Sequence, residues 1–120
     1  MTEMNDGKYE AIFCIVNKGF TDLVMTAARA AGARGGTVLS ARGTGNKELE
    51  QFFGVTVTPE KEIVMILVPI EIRDKILLAV NDGAGMSTKG QGIAFSLPVS
   101  DHIGIIPPEE KAEEKKTTGE

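Results

Sequence analysis

Three stretches of the chain are rich in glycine and have the composition best suited to holding a small anionic ligand. They are residues 32–37 (GARGGT), residues 43–45 (GTG) and residues 82–92 (DGAGMSTKGQG). Glycine lets backbone N–H groups approach an anion closely, because no Cβ stands in the way. The third stretch adds two hydroxyl donors and the ammonium group of Lys89. Together these stretches form a candidate anion-binding site, although the composition of each stretch is a weak signal by itself.

Glycine-rich stretches also occur as flexible turns that bind nothing, and composition alone favours this alternative. Neither long stretch is a P-loop. That motif places Gly-Lys-Ser/Thr at the start of a helix, whereas Lys89 is followed by Gly90 and a predicted strand. If the second and fourth strands lie close together, all three stretches line one cleft, and an anion site becomes the better interpretation.

Few residues are suited to catalysis. The chain has one histidine, His102, so a Ser-His-Asp site has a single candidate base and a Cys/His zinc cluster cannot be assembled within one chain. A small enzyme would have to use His102, Asp101 and Lys61, and we keep this as the least favoured hypothesis. The single cysteine, Cys14, lies in an apolar run and is interpreted as a core residue. We therefore predict no catalytic residue and no metal site.

Length and composition indicate one ordinary globular domain. The chain has 120 residues, of which 42% are hydrophobic and 25% charged. The net charge is -4 and no basic stripe with interleaved aromatic residues is present, which excludes a typical nucleic-acid-binding protein. Residues 1–6 are polar and lack the features of a signal peptide, and no apolar run is long enough to span a membrane. We expect a cytoplasmic protein without direct membrane insertion; docking on a membrane protein stays open.

The hydrophobic pattern predicts an alternation of strands and helices. Thr21 or Asp22 is expected to cap the first helix, and Gly32 to end it. Residues 82–91 are predicted to be a loop. The predicted strands are 8–16, 37–42, 61–68 and 92–99, with a short final strand at 103–106, and the predicted helices are 20–31 and 70–81.

This order is strand–helix–strand, a long excursion, then strand–helix–strand, which is the split βαβ pattern of ferredoxin-like α+β folds. Such a fold packs two helices on one face of an antiparallel sheet. The strands are apolar on both faces, so the second sheet face needs a cover, and another subunit is the simplest one. We predict a 1–7 extension, an 8–106 domain and a disordered, charged 107–120 tail.

Three segments have the residues and spacing of a known family: GARGGTV with ARGTG in residues 32–45, KEIVMILVP in residues 61–69, and GQGIAF in residues 90–95. With these segments the sequence resembles the PII nitrogen-regulatory signalling proteins and their PII-like relatives. The resemblance covers roughly residues 8–106.

This resemblance implies a ferredoxin-like homotrimer with adenine-nucleotide clefts between neighbouring subunits. Residues 44–59 correspond to the T-loop, which engages target proteins in this family. Residues 82–92 correspond to the B-loop, which grips phosphates, and residues 101–106 to a C-terminal loop that enters the same cleft from the neighbour. Lys61 falls where the family has a lysine that contacts phosphate or 2-oxoglutarate. The resemblance and Lys89 together give the candidate ligand-binding residues Gly35, Thr37, Gly43, Thr44, Gly45, Lys61, Met65, Leu67, Lys89, Gly90, Gln91 and Gly92.

The chain departs from the family pattern at charged positions. Ile93, Gly104 and Ile106 stand where the family has cations that bind phosphates, and Gln91 replaces an acidic residue. Each lost charge-assisted hydrogen bond weakens binding by roughly 1.5–3 kcal/mol. We therefore expect weaker binding of a triphosphate, which Lys89 offsets in part, and do not expect combined sensing of ATP and 2-oxoglutarate.

The resemblance predicts a PII-like signal-transduction protein rather than an enzyme. It would need no cofactor, bind AMP, ADP or ATP as an effector, and regulate a target such as a membrane transporter or an enzyme of nitrogen or carbon metabolism. The alternative is an interaction module that binds no small ligand.

Overall fold

The fold is built from four strands and two helices in the predicted order. The computed structural model describes residues 8–44, 60–85 and 92–105. The strands are β1 (Tyr9–Asn17), β2 (Thr37–Arg42), β3 (Glu60–Pro69) and β4 (Gly92–Val99), and the helices are α1 (Thr21–Ala30) and α2 (Ile70–Ala84). The predicted bounds of β2 and β4 are confirmed, and those of β1 and β3 differ by one residue at each end.

The strands form one antiparallel sheet in the order β2-β3-β1-β4. The two longest apolar strands, β1 and β3, lie in the centre, where both of their edges are hydrogen-bonded. The shorter strands β2 and β4 form opposite edges. Both helices pack on one face, which confirms the predicted α+β fold.

Strand alternation divides each strand between two faces. In the central strands, the side chains on the helix face are fully buried: Ile12, Cys14 and Val16 in β1, Val64 and Ile66 in β3. They pack against Val24, Ala28, Ile76 and Val80 of the helices. This layer is the hydrophobic core of the chain.

The other sheet face, here called the open face, carries no described helix. Apart from Thr37 and Lys61 near its two ends, its side chains in the strands are mostly apolar, including Leu39, Leu67, Ile93, Phe95 and Leu97, which are 39–59% exposed. Phe13 and Phe95 stack across β1 and β4 with ring centroids 5.5 Å apart. The apolar second face expected from the sequence is therefore present, and within a single chain it stays accessible to solvent.

One charged pair lies beside the core. Glu10 is 6% exposed on the helix side of β1, and Arg73 of α2 donates from Nη1 to its Oε1 at 3.2 Å. Arg73 also donates from Nε to Asp74 at 3.0 Å. The guanidinium therefore compensates the buried carboxylate and ties α2 to β1.

Three local predictions are wrong. The N-cap of α1 is Phe20, and neither Thr21 nor Asp22 caps the helix; Phe20 packs against the core, so packing rather than a side-chain hydrogen bond sets this helix start. Residues 82–84 continue α2, which ends at Gly85 in a left-handed conformation with φ 66°. Residues 103–105 form no strand.

The predicted ending of α1 at Gly32 agrees with the structure, where Ala31 is the C-cap and Gly32 follows with φ 114°. The predictions for the 1–7 extension, for the excursion beyond residue 44 and for the 107–120 tail fall outside the described residues. Neither described helix combines the length and the apolar character that a membrane span requires.

Candidate functional site

A cleft of about 460 Å³ lies at one end of the open face. It is bounded by the loop that enters β2, by two residues of β3 and by the segment that follows β4. Its lining residues are Arg34, Gly35, Gly36, Thr37, Met65, Leu67, Gly104 and Ile105. The cleft is large enough for a small organic ligand.

The first wall of the cleft is the loop between α1 and β2. Gly32, with its positive φ, turns the chain out of α1. A Cβ on Gly36 would lie 3.1 Å from Met25 Sδ and 3.1 Å from the Met65 carbonyl oxygen. The absence of a side chain at Gly36 therefore lets this loop lie directly against β3, where Thr37 pairs with Met65.

The floor and second wall come from β3 and from residues 100–105. Met65 and Leu67 project to the open face, and Leu67 is 46% exposed. Gly104 has φ 97°, and a Cβ there would meet nothing within 4 Å. Its left-handed backbone turns the segment after β4 toward Leu67. The cleft thus combines an apolar floor with glycine backbone and one cationic side chain among its described lining, Arg34.

Four of the predicted ligand-binding residues meet in this cleft, namely Gly35, Thr37, Met65 and Leu67. Another four lie at the opposite end of the sheet, namely Gly43, Thr44, Lys61 and Gly92. The remaining four, Gly45, Lys89, Gly90 and Gln91, lie outside the described residues. The structure therefore divides the described candidates into two groups, a cleft group and a far group.

The separation of the two groups follows from the sheet. β2 has six residues, so its two ends are roughly 17 Å apart. β2 and β4 are opposite edges of the sheet, with β3 and β1 between them. One shared cleft would require the second and fourth strands to lie close together. Within a single chain they do not, because two other strands separate them. The sequence pattern did not show this, because strand order depends on pairings between distant residues.

The far group has a defined geometry of its own. Lys61 lies opposite Asn17 in β1, and its Nζ donates to Asn17 Oδ1 at 2.6 Å. Gly92 has φ 138°, and a Cβ there would collide with the Ile15 carbonyl oxygen. Gly92 is therefore needed for the chain to enter β4, whatever further role it has.

The residues considered for a small enzyme are not brought together. The His102 ring contacts Tyr9 edge-on, with centroids 4.8 Å apart, whereas Asp101 is exposed and Lys61 lies at the far end of the sheet. Among residues 8–44, 60–85 and 92–105, no group of three His, Cys, Asp or Glu side chains is arranged to hold a metal ion. Cys14 is buried, and burial raises the pKa of its thiol to about 11, which disfavours the nucleophilic thiolate.

Four lining residues were missed as ligand-binding candidates. Arg34 and Gly36 lie within the glycine-rich stretch at 32–37. The glycine pattern of that stretch therefore indicates that they lie near a ligand site. Gly104 and Ile105 belong to the segment that the resemblance connects with the cleft. They carry no charge, and no motif in the sequence identifies them as lining residues.

The family model for nitrogen regulatory protein P-II matches residues 9–109. Among solved structures, the chain is similar to Arabidopsis thaliana PII bound to citrate, with 28% sequence identity and a TM-score of 0.61. That similarity covers 83% of this chain and 82% of the plant chain. No curated protein matches the sequence significantly.

The family match spans nearly all of the described fold, including both walls of the cleft and the far group. The solved plant structure matches over a similar share of the chain and holds a small anion, citrate. The chain therefore belongs to the P-II nitrogen regulatory protein family.

Proposed function

We propose that this chain is a cytoplasmic signal-transduction protein that binds an adenine nucleotide between neighbouring copies and regulates a target protein. P-II family proteins are signalling regulators rather than enzymes, which supports the general role. The effector is AMP, ADP or ATP and is not a cofactor. The target is a membrane transporter or an enzyme of nitrogen or carbon metabolism, and the 44–59 loop contacts it.

The observation that carries this proposal is the division of the candidate residues between two ends of one sheet. One ligand contacts both groups only if the cleft end of one chain meets the far end of a neighbour. Such a head-to-tail contact closes into a ring when it is repeated by rotation. The exposed apolar open face provides the surface for that contact, and family members form trimers.

The cleft chemistry favours a ligand with a flat apolar part and a modest negative charge. Met65 and Leu67 offer an apolar floor for a ring, and Arg34 and the glycine backbone in the same lining are groups suited to holding an anion. Gly104 adds no charge where the family has a cation. Each missing charged hydrogen bond to a phosphate weakens binding by roughly 1.5–3 kcal/mol, and ATP has the most phosphates to lose such bonds. Under this proposal the preference for ATP over AMP or ADP is therefore smaller than in relatives that have the full set of cations.

Calorimetric titration of the purified chain tests the ligand. The panel consists of AMP, ADP, ATP, a cyclic nucleotide, bicarbonate and citrate. We expect at least one adenine nucleotide to bind, and Thr37→Val with Arg34→Gln to weaken that binding at least tenfold. Arg29→Gln, which removes an exposed arginine of α1, is the matched control and leaves the affinity unchanged. Absence of binding by every nucleotide in the panel would refute the nucleotide proposal.

The second candidate is an interaction module without a small ligand, and the uncharged residues Gly104 and Ile105 in the cleft wall favour it. Limited proteolysis discriminates between the two. A nucleotide effector changes the rate of cleavage within residues 44–59, because the ligand site adjoins the start of that loop at Thr44. An interaction module is cleaved there at the same rate with or without AMP, ADP and ATP.

A further inference from the structure

Tyr9 and His102 form an aromatic pair next to the cleft, with centroids 4.8 Å apart and ring planes at 69°. We propose that this pair positions residues 100–105 as a wall of the cleft, and that it thereby sets the affinity for the ligand. The affinity part of this inference rests on the proposed function. The positioning part concerns the fold alone and is measured without ligand.

The path of the chain after β4 explains why this pair matters. β4 ends at Val99, which lies opposite Tyr9 of β1, and Tyr9 lies opposite Pro69 of β3 on its other side. Residues 104 and 105 line a cleft whose floor is Leu67 of β3. The segment therefore has to cross the end of β1, a step of about 5 Å per strand. His102 is the residue that meets Tyr9 at this crossing.

Burial supports the same path. Alternation along β1 places Tyr9 on the open face together with Ala11 and Phe13. Leu67 and Leu97 on that face are 46% and 51% exposed, whereas Tyr9 is only 8% exposed. Ala11 is also 8% exposed, but it is a small side chain between Leu67 and Leu97, whereas the larger ring of Tyr9 has the His102 ring against it. The edge-to-face arrangement of the two rings is one that aromatic pairs favour.

The segment itself has no regular structure that would hold it. Residues 100–105 belong to no helix or strand, so their course depends on local contacts such as that of His102 with Tyr9. Gly104 follows His102 by two residues and turns the chain with its positive φ. The location of the cleft wall therefore depends on where His102 is held.

Hydrogen exchange of the ligand-free protein tests the positioning. His102→Ala and Tyr9→Leu each remove one ring, and we expect amide exchange at residues 103–105 to become roughly three- to tenfold faster in both. His102→Phe keeps a ring at the crossing and retains the exchange rate of the unsubstituted protein. Asp101→Ala changes an exposed neighbour in the same segment and serves as the matched control.

Calorimetry with AMP, ADP and ATP tests the consequence for binding. The nucleotide that binds tightest to the unsubstituted protein binds His102→Ala and Tyr9→Leu with affinity reduced by about the same three- to tenfold factor. His102→Phe restores the affinity. The double variant Tyr9→Leu/His102→Ala loses no more than either single variant, because both remove the same contact.

Each contrary result overturns a defined part of the inference. Unchanged exchange at 103–105 in His102→Ala, or failure of His102→Phe to restore it, overturns the positioning role of the ring pair. Faster exchange with unchanged nucleotide affinity overturns the link to the ligand. If the unsubstituted protein binds none of the three nucleotides, the proposed function and the affinity part fail together, while the exchange measurement still decides the positioning part.

Discussion

Cys14 shows how burial of one side chain ties the stability of the fold to pH. It is fully buried in β1, and this burial raises the pKa of its thiol from 9.0 to about 11. Between these values the unfolded chain has lost the thiol proton and the folded chain has kept it. The free energy of unfolding therefore falls as pH rises from 9 to 11, by about 1.4 kcal/mol per pH unit from this group. Below pH 9 the thiol is protonated in both states and contributes no pH dependence.

Urea denaturation at pH 8, 9, 10 and 10.5 measures this contribution when Cys14→Ala is studied in parallel. All other side chains are identical in the two proteins, so their effects cancel in the difference between the two curves. We expect Cys14→Ala to be less stable at pH 8 because of the lost packing, and to lose less stability than the unsubstituted chain above pH 9. Parallel curves across the whole range would contradict a raised thiol pKa.

Gly83 determines how closely the two helices approach each other. A Cβ at this position would lie 2.7 Å from Ala27 Cβ of α1. Alanine favours the helix by about 1 kcal/mol over glycine, but forcing a methyl group into a packed contact costs about 1–3 kcal/mol. The cost of the clash outweighs the gain in helix propensity for most of this range, so we expect Gly83→Ala to lower the free energy of unfolding by up to about 2 kcal/mol, as measured by urea denaturation.

A double-mutant cycle isolates this contact from the helix propensity. Ala27→Gly makes room for the new methyl group, so Gly83→Ala in that background is neutral or stabilising. Asp82→Ala, an exposed change at the neighbouring position of α2, is the control and shifts stability by less than about 0.5 kcal/mol. Additive effects of Gly83→Ala and Ala27→Gly would show that the two residues do not compete for space.

The same glycine shows what sequence patterns predict and what they miss at the level of elements. Apolar runs bounded by turns fixed the limits of β2 and β4, because local propensity and burial agree there. Gly83 was interpreted as part of a loop, since its contact with Ala27 joins residues far apart in the chain. Gly35 and Thr37 were identified with the cleft, but their separation from Gly43 and Gly92 depends on strand order, which no local pattern contains.

At the scale of the whole molecule, the two groups of candidate ligand residues and the apolar open face point to the same requirement. The cleft group and the far group lie at opposite ends of β2 and β3, so one chain cannot wrap both around one ligand. The face that connects the two ends is apolar and lacks a described cover. Under the proposed function, one assembly of copies would bury that face and join the two groups, and ligand binding would then depend on association.

Leu97→Glu tests this dependence. Leu97 is 51% exposed on the open face, and a carboxylate buried there between chains would cost several kcal/mol. Under the proposed assembly the unsubstituted protein has three times the chain mass of 12.8 kDa in light scattering, whereas Leu97→Glu has the mass of one chain and keeps its circular dichroism spectrum.

Leu78→Glu is the matched control. It alters an equally apolar, 64% exposed residue of α2 on the helix side, and this variant keeps the mass of three chains. Because each end of a single chain presents only one of the two groups, Leu97→Glu also loses the nucleotide binding that Leu78→Glu retains. A Leu97→Glu protein that still associates, or that binds nucleotide with full affinity as a single chain, would contradict the connection between assembly and site.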